Sequence, residues 1–119
     1  MGMFEARIRI ANFEKPERSA ELSLVVDTGA TLSWIPRQVL ERLEIEPLSR
    51  LPFSLADGKS VQRDIGGVLL TFDGRKALVS VAFGESGETA LLGATALETL
   101  GLVVDPVDKK LIARDLLRL

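Results

Sequence analysis

With 119 residues, the chain is long enough to bury the core of one domain and short for two independent ones. Its formal charge of −2 and interspersed charged residues leave no basic stripe to neutralise phosphates, which argues against nucleic acid as a partner. The apolar runs are broken by charge or glycine well before the roughly 20 residues that span a bilayer, so we expect no membrane segment.

The N-terminal residues 1–7 place charge where a signal peptide needs its apolar stretch, so we expect no leader there. The sequence contains no cysteine, which rules out a disulfide framework and is compatible with a reducing compartment. We therefore predict a cytoplasmic location.

The first third of the chain favours strands. Residues 4, 6, 8 and 10 are apolar and alternate with charged residues, which is the pattern of a half-buried strand. A polar segment over residues 12–19 then leads into an apolar strand at Leu22–Val26. Pro36 is expected to be the first residue of a short helix, because its missing N–H would be unsatisfied there anyway.

Two Asp-Gly pairs predict β-hairpins in the middle of the chain. Asp57-Gly58 and Asp73-Gly74 each separate two apolar runs, and Asp-Gly favours tight hairpin turns because both central residues of that turn need positive φ. The strands joined in this way are 51–55 with 60–65, and 68–72 with 77–83.

The last part of the chain predicts a second helix over about 94–100, which stops at Gly101. Two strands at 102–104 and 111–113 follow, joined by a turn at 105–108. The tail from Arg114 to Leu119 could be a strand that pairs with a partner or a disposable end. Residues 1–119 are thus predicted to form a single, mainly β domain.

Asp27-Thr28-Gly29 is the most informative motif, because it directly follows a buried strand and occurs once. A carboxylate followed by a small hydroxyl residue and a glycine suits a catalytic turn. It also suits an ordinary turn in which the Asp27 carboxylate caps its own backbone. With one such carboxylate per chain, any two-carboxylate chemistry would need two chains.

Other chemistries are excluded by composition. Without histidine or cysteine, no Ser-His-Asp or Cys-His arrangement is possible, and zinc loses its commonest ligands. Gly66-Gly67 lacks the spacing and the lysine of a phosphate-binding loop. The remaining aspartates do not cluster as in a calcium loop. We therefore expect no metal and no cofactor.

A faint internal repeat links residues 24–32 with residues 90–96, since both run from an apolar strand through glycine and Ala-Thr. Chance similarity of small residues is the alternative explanation.

Val25 to Thr31, the Asp57-Gly58 hairpin and Leu91-Leu92-Gly93 followed by a helix resemble, in order and spacing, a retropepsin-like (clan AA) aspartic protease. The similarity is greatest to the single-domain type found in bacteria and archaea. It implies a closed six-stranded-type acid protease barrel with one or two short helices, one lobe per chain, in a homodimer. In that family the two repeated segments are related halves of one barrel.

The resemblance implies that Asp27 is the catalytic residue and acts together with its symmetry mate. Two carboxyls about 3 Å apart hold one proton between them, because like charges at that distance cannot both ionise. The ionised carboxyl activates water as a general base, and the protonated one polarises the scissile carbonyl. The titration belongs to the pair.

The neighbouring roles also come from the resemblance. Thr28 would hydrogen-bond across the two-fold axis, although a simple turn threonine is the alternative. Gly29 would let backbone and substrate approach closely. Ala30 and Thr31 would line the edge where the substrate main chain binds.

The Asp57-Gly58 hairpin with its neighbour Ala56 would be the tip of a flap that closes over the peptide, with an ordinary surface hairpin as the alternative. Leu91 and Leu92 are expected to contact substrate. Trp34 would lie near a side-chain pocket, although an isolated tryptophan is as often plain core.

Two departures from the viral pattern leave two functions open. Viral retropepsins typically have an arginine and an acidic residue where this chain has Ala94 and Thr31, so a bracing ion pair is missing. The favoured hypothesis is a homodimeric aspartic endopeptidase that cleaves extended peptides. The alternative is a catalytically silent dimeric module on the same barrel that binds peptides or supports assembly.

Overall fold

The computed structural model describes residues 3–114. Its strands and helices, in chain order, are β1 (Glu5–Ala11), β2 (Ser19–Val26), β3 (Ser33–Pro36), α1 (Arg37–Arg42), β4 (Ser49–Ser54), β5 (Ser60–Phe72), β6 (Arg75–Gly84), β7 (Leu91–Leu92), α2 (Ala94–Leu100), β8 (Leu102–Asp105) and β9 (Lys110–Ala113). The predicted mainly β class, with two short helices in a single lobe, is confirmed.

Six strands form a cycle of pairings. The order β1-β2-β7-β3-β6-β5 returns on itself because β5 also pairs with β1. β4 pairs with the outer half of β5 and extends beyond the cycle as a hairpin. The strands β2 and β7 run parallel, as do β3 and β6, whereas the other neighbours are antiparallel. β8 and β9 form a separate two-stranded sheet.

The core follows from the alternation of the strands. In β1 every second residue is buried, and Ile8 and Ile10 have no exposed surface. Each such aliphatic side chain contributes about 1.5–3 kcal/mol through its burial. One face of α1 adds Leu40 to this core, and α2 adds Leu97 and Leu100.

The two Asp-Gly turns differ in detail. Asp73 and Gly74 both have positive φ, as the sequence predicted. At the other hairpin only Gly58 does, so the prediction is wrong for Asp57, whose carboxylate accepts a hydrogen bond from the Lys59 N–H at 3.0 Å. The hairpin therefore spans a wider loop, closed by the Leu55 N–H donating to the Lys59 carbonyl at 2.8 Å.

The structure corrects two predicted element boundaries. Pro36 ends β3 with an extended ψ of 133° and is the N-cap of α1, so the helix begins at Arg37. The predicted strands at 60–65 and 68–72 are one strand, β5, that runs through Gly66-Gly67. Gly66 packs so closely that an added Cβ would lie 2.9 Å from Phe83 Cε1, which explains the glycine without a chain break.

The C-terminal part follows the prediction as far as the structure describes it. α2 ends at Gly101, which adopts the left-handed conformation with φ 73°. The tail predicted to be a partner strand or a disposable end lies outside the described residues beyond Arg114. Among residues 3–114, no helix is long and apolar enough to cross a membrane.

Candidate active site

The position of Asp27 is fixed by strand pairing. β2 lies parallel to β7, with Val25 opposite Leu91 and Val26 opposite Leu92. The backbone N–H of Asp27 continues this ladder by donating to the Leu92 carbonyl at 3.0 Å. Asp27 therefore leaves the sheet directly beside the Leu91-Leu92-Gly93 segment.

The turn after Asp27 orients its carboxylate. The Gly29 N–H donates to Asp27 Oδ1 at 2.9 Å, and the Ala30 N–H donates to the Asp27 carbonyl at 3.2 Å. Within residues 3–114, no other donor bonds to this carboxylate, so Oδ2 is unbonded there. The capped turn that the sequence left open is therefore present, and it holds one carboxylate oxygen while leaving the other for chemistry.

Gly93 lies where the second segment supports the first. An added Cβ at this position would lie 2.6 Å from the Leu32 carbonyl oxygen and 2.8 Å from that of Ala30. The Gly93 N–H donates to Oγ of Ser33, which is 1% exposed, at 2.9 Å. This close backbone approach requires glycine.

Backbone bonds also join the start of α2 to the loop after the Asp-Thr-Gly turn. The Ala94 N–H donates to the Ala30 carbonyl at 2.7 Å, and the Thr95 N–H donates to the Thr31 carbonyl at 3.0 Å. Ala94 and Thr31 are the two positions at which this sequence departs from the bracing ion pair that the resemblance implies. In this chain main-chain hydrogen bonds connect these two segments.

The Asp27 turn forms part of the lining of a groove of about 1000 Å³. A second side of the groove is formed by β4 and the residues that follow it, Leu55 and Ala56, and a third side by the segment before β7. The lining residues are Asp27, Gly29, Ala30, Thr31, Leu32, Trp34, Leu51, Pro52, Phe53, Ser54, Leu55, Ala56, Glu88, Thr89 and Leu91. A volume of this size suits a peptide segment.

Comparison with known proteins agrees with this geometry. Residues 10–96 match the family model described as "Aspartyl protease". The chain belongs to the aspartyl protease family. None of the curated proteins matches it.

Two solved viral proteases share the fold of this family member. The Simian Foamy Virus (mac) protease is 20% identical, with a TM-score of 0.57 over 79% of this chain and 91% of the viral one. The EIAV protease, in complex with the inhibitor HBY-793, is 18% identical, with a TM-score of 0.64 over 84% and 89%. The predicted retropepsin-like family is thus confirmed, whereas the bacterial or archaeal type stays a prediction.

Most of the predicted site residues of this aspartyl protease line the groove. They are Asp27, Gly29, Ala30, Thr31, Trp34, Ala56 and Leu91. Thr28, Asp57 and Gly58 are exposed and lie outside the lining, at the two tips that border it. Their roles stay predictions.

Leu92 requires a correction. Strand alternation turns its side chain away from that of Leu91, and Leu92 has no exposed surface. It packs in the hydrophobic core and does not line the groove. We therefore remove Leu92 from the predicted substrate contacts.

One wall of the groove was not predicted from the sequence. Phe53 meets Trp34 edge to face at 5.2 Å between ring centroids, and Glu88 forms an ion pair with Arg63. The alternation in β4 was a signal for Phe53. Nothing local marks Glu88 and Arg63 as partners, because 25 residues separate them.

The ion pairs behind the groove shift several pKa values. Hydrogen bonds from Arg63 hold the pKa of the Glu88 carboxyl below its ordinary value. Arg37 and then Arg50 do the same for the pKa of Asp64, through hydrogen bonds of 2.7 and 3.0 Å. The carboxylates of Glu85 and Asp64 in turn raise the pKa of Arg37.

The site offers no obvious place for a metal. Among residues 3–114, no three acidic side chains come together in a way that could hold an ion.

Proposed function

We propose that this chain is an aspartic endopeptidase that acts as a homodimer, with one Asp27 from each copy activating a water molecule. The observation that carries the proposal is the Asp27 carboxylate, which lines a peptide-sized groove with one oxygen held by Gly29 and the other unbonded among the described residues. The match to the aspartyl protease family supports this choice of chemistry.

The number of carboxyls in the groove of one chain supports a site built from two copies. Among the described residues, the other carboxylate in the groove lining is Glu88, and Arg63 pairs with it. The sequence has one Asp-Thr-Gly, so a second catalytic carboxyl comes from a second chain. Thr28 is exposed at the tip of the turn, where it is accessible to that second copy.

The mechanism follows from two carboxyls that share one proton. The ionised carboxyl takes a proton from water as the oxygen attacks the scissile carbonyl carbon, and the protonated carboxyl donates to the carbonyl oxygen. The tetrahedral intermediate then collapses, the C–N bond breaks, and a carboxyl returns a proton to the leaving amine. The step needs no co-reactant besides water.

The groove suits an extended peptide. In the described part of the chain, β4 pairs along one edge with β5 and leaves its other edge unpaired next to the groove. An extended substrate can add to such an edge through main-chain hydrogen bonds, with its alternate side chains directed into pockets. The flap strands thus bind the main chain opposite Asp27.

Asp27→Asn tests the proposal. The amide has nearly the shape of the carboxyl and keeps an oxygen for the Gly29 N–H, but it cannot serve as a general base. We expect peptide hydrolysis to fall by at least about 10²-fold across the pH range, measured with a peptide library. Unfolding midpoints of the variant and the wild type should agree within a few degrees.

Asp73→Asn is the matched control, since Asp73 lies in the exposed turn between β5 and β6 and has positive φ, which asparagine tolerates. It should hydrolyse peptides at the wild-type rate. Unchanged hydrolysis in Asp27→Asn would refute the mechanism. Wild-type protein that binds extended peptides but cleaves none of them would instead identify the silent binding module.

A further inference from the structure

We propose that Arg63 and Glu88 determine specificity in this groove: their ion pair closes the wall beside Trp34 and neutralises it, so that the adjacent pocket accepts an uncharged, apolar side chain. The proposal rests on the proposed function, because it concerns peptides bound in the same groove. It assigns a role to two residues that take no part in the water activation described above.

The ion pair has the two-point geometry of a specific interaction. Arg63 Nε donates to Glu88 Oε1 at 3.1 Å, and its Nη2 donates to Oε2. The two side chains are only 15% and 22% exposed. A bidentate pair of this kind is directional and stronger than an exposed contact between single atoms.

The ion pair connects two sides of the groove. Arg63 belongs to β5 of the flap hairpin, whereas Glu88 belongs to the segment between β6 and β7. Glu88 Oε1 also accepts a hydrogen bond from the Glu85 N–H at 2.7 Å, which fixes the turn that carries it. Breaking the pair therefore removes a side-chain link between the β4–β5 hairpin and the segment before β7.

Aromatic contacts continue the wall. The Arg63 guanidinium carbon lies 5.9 Å from the centroid of the Trp34 ring, within the range of a cation–π contact. Trp34 in turn meets Phe53 of β4 edge to face. The pair, the indole and the phenyl ring thus form one continuous surface from the segment before β7 to the flap.

The charge of this wall is balanced by Arg63. Glu88 is part of the groove lining, and Arg63 is not. The rest of the lining is mostly apolar, with the large side chains of Leu32, Trp34, Leu51, Phe53, Leu55 and Leu91, and it also includes the hydroxyl residues Thr31, Ser54 and Thr89. With Glu88 neutralised, a lysine on the substrate gains no partner here and would lose its hydration, so an apolar side chain is preferred.

Removing Arg63 should change this preference in a predictable direction. In Arg63→Met the Glu88 carboxylate faces the groove without its partner and can bind a cationic side chain. We expect the ratio of kcat/KM for a lysine peptide to that for the matched leucine peptide to rise about tenfold at one substrate position. Blocked octapeptides in which each position in turn is Leu, Lys or Glu would locate that position.

Glu88→Gln provides the matched control, since the amide can still accept the bond from the Glu85 N–H but carries no charge. It should give no increase for lysine peptides, and Arg63→Met combined with Glu88→Gln should cancel the increase. An increase that persists without the Glu88 charge would overturn the proposal.

A binding assay separates this proposal from the catalytic one. Trp34 is the single tryptophan and the chain has no tyrosine, so intrinsic fluorescence reports on the groove wall alone. In an Asp27→Asn background, titration with the same octapeptides should show the shift toward lysine caused by Arg63→Met. Acrylamide should also quench Trp34 more strongly in that variant. If Arg63→Met showed the same peptide selectivity and the same quenching as the wild type, the specificity role of the Arg63–Glu88 pair would be rejected. This holds whether or not the protein hydrolyses peptides.

Discussion

Gly93 shows how a single residue determines the geometry of the Asp27 turn. Its backbone lies against the carbonyls of Ala30 and Leu32, and its N–H is bonded to the buried Ser33 hydroxyl. These contacts are with main-chain atoms that carry the loop after Asp27. A side chain at this position cannot be relieved by rotating a neighbour, so the loop itself would have to move.

We predict that Gly93→Ala destabilises the protein by about 1–3 kcal/mol and lowers peptide hydrolysis more than stability alone explains. The added methyl would lie 2.6 Å from the Leu32 oxygen, which displaces the turn that holds Asp27. Urea unfolding and hydrolysis assays check the two effects.

Gly67→Ala is the control for this prediction, because an added Cβ there meets a single atom, Phe13 Cε1, at 4.0 Å. It should unfold within about 0.5 kcal/mol of the wild type. A Gly93→Ala protein as stable as the control would show that the Ala30–Leu32 loop tolerates displacement.

At the scale of whole elements, the sequence predicted what local patterns encode. β1 alternates strictly and α2 ends at a glycine, so both were predicted close to their observed bounds. β3 was not predicted as a strand, and β7 was predicted only as the apolar strand of the internal repeat, because they have four and two residues, too few for a clear alternation. Their strand form comes from neighbours that are distant in sequence.

The candidate site also has a part that the sequence predicted and a part that it did not. Asp27 and its turn were predictable, since the residues that make them are contiguous. The contacts of Phe53, Arg63 and Glu88 were not, because they join segments that are distant in sequence. No local signal in the sequence specifies which arginine meets which glutamate.

The arginine–carboxylate pairs that tie these elements together predict a loss of stability in acid. The pKa values of Glu88 and Asp64 lie below their ordinary 4.5 and 3.8 in the folded protein. In acid the folded state then binds fewer protons than the unfolded state. The stabilisation from the arginine–carboxylate pairs is therefore complete at pH values above the ordinary pKa values. This stabilisation is lost as the pH falls through the lowered pKa values of the folded state. The arginines stay charged in both states throughout this range.

Urea midpoints measured between pH 7 and pH 2.5 should therefore decline below about pH 4.5. The double variant Glu88→Gln with Asp64→Asn should have a lower urea midpoint than the wild type at pH 7, and its midpoint should decline less steeply as the pH falls. A variant that declines as steeply as the wild type would assign the acid sensitivity to other carboxyls.

On the scale of the whole molecule, the fold of one chain supplies one half of the proposed chemistry. The Asp27 turn follows β2, one of the six strands of the cycle. The tip of this turn, at Thr28 and Gly29, is exposed and is not covered by the described residues. A second copy related by a two-fold axis would present the same tip, as in an isologous interface. Activity then depends on the pairing of chains and falls faster than linearly on dilution.

Mixing wild-type protein with excess Asp27→Asn tests the shared site directly. If each site needs one Asp27 from each copy, random pairing with a ninefold excess should lower the total activity to roughly one tenth, at concentrations where chains stay paired and substrate is saturating. Excess Asp73→Asn should instead raise the activity, because its chains keep Asp27. Activity that is unaffected by excess Asp27→Asn would show that one carboxyl per site is sufficient, and the two-chain mechanism would then be wrong.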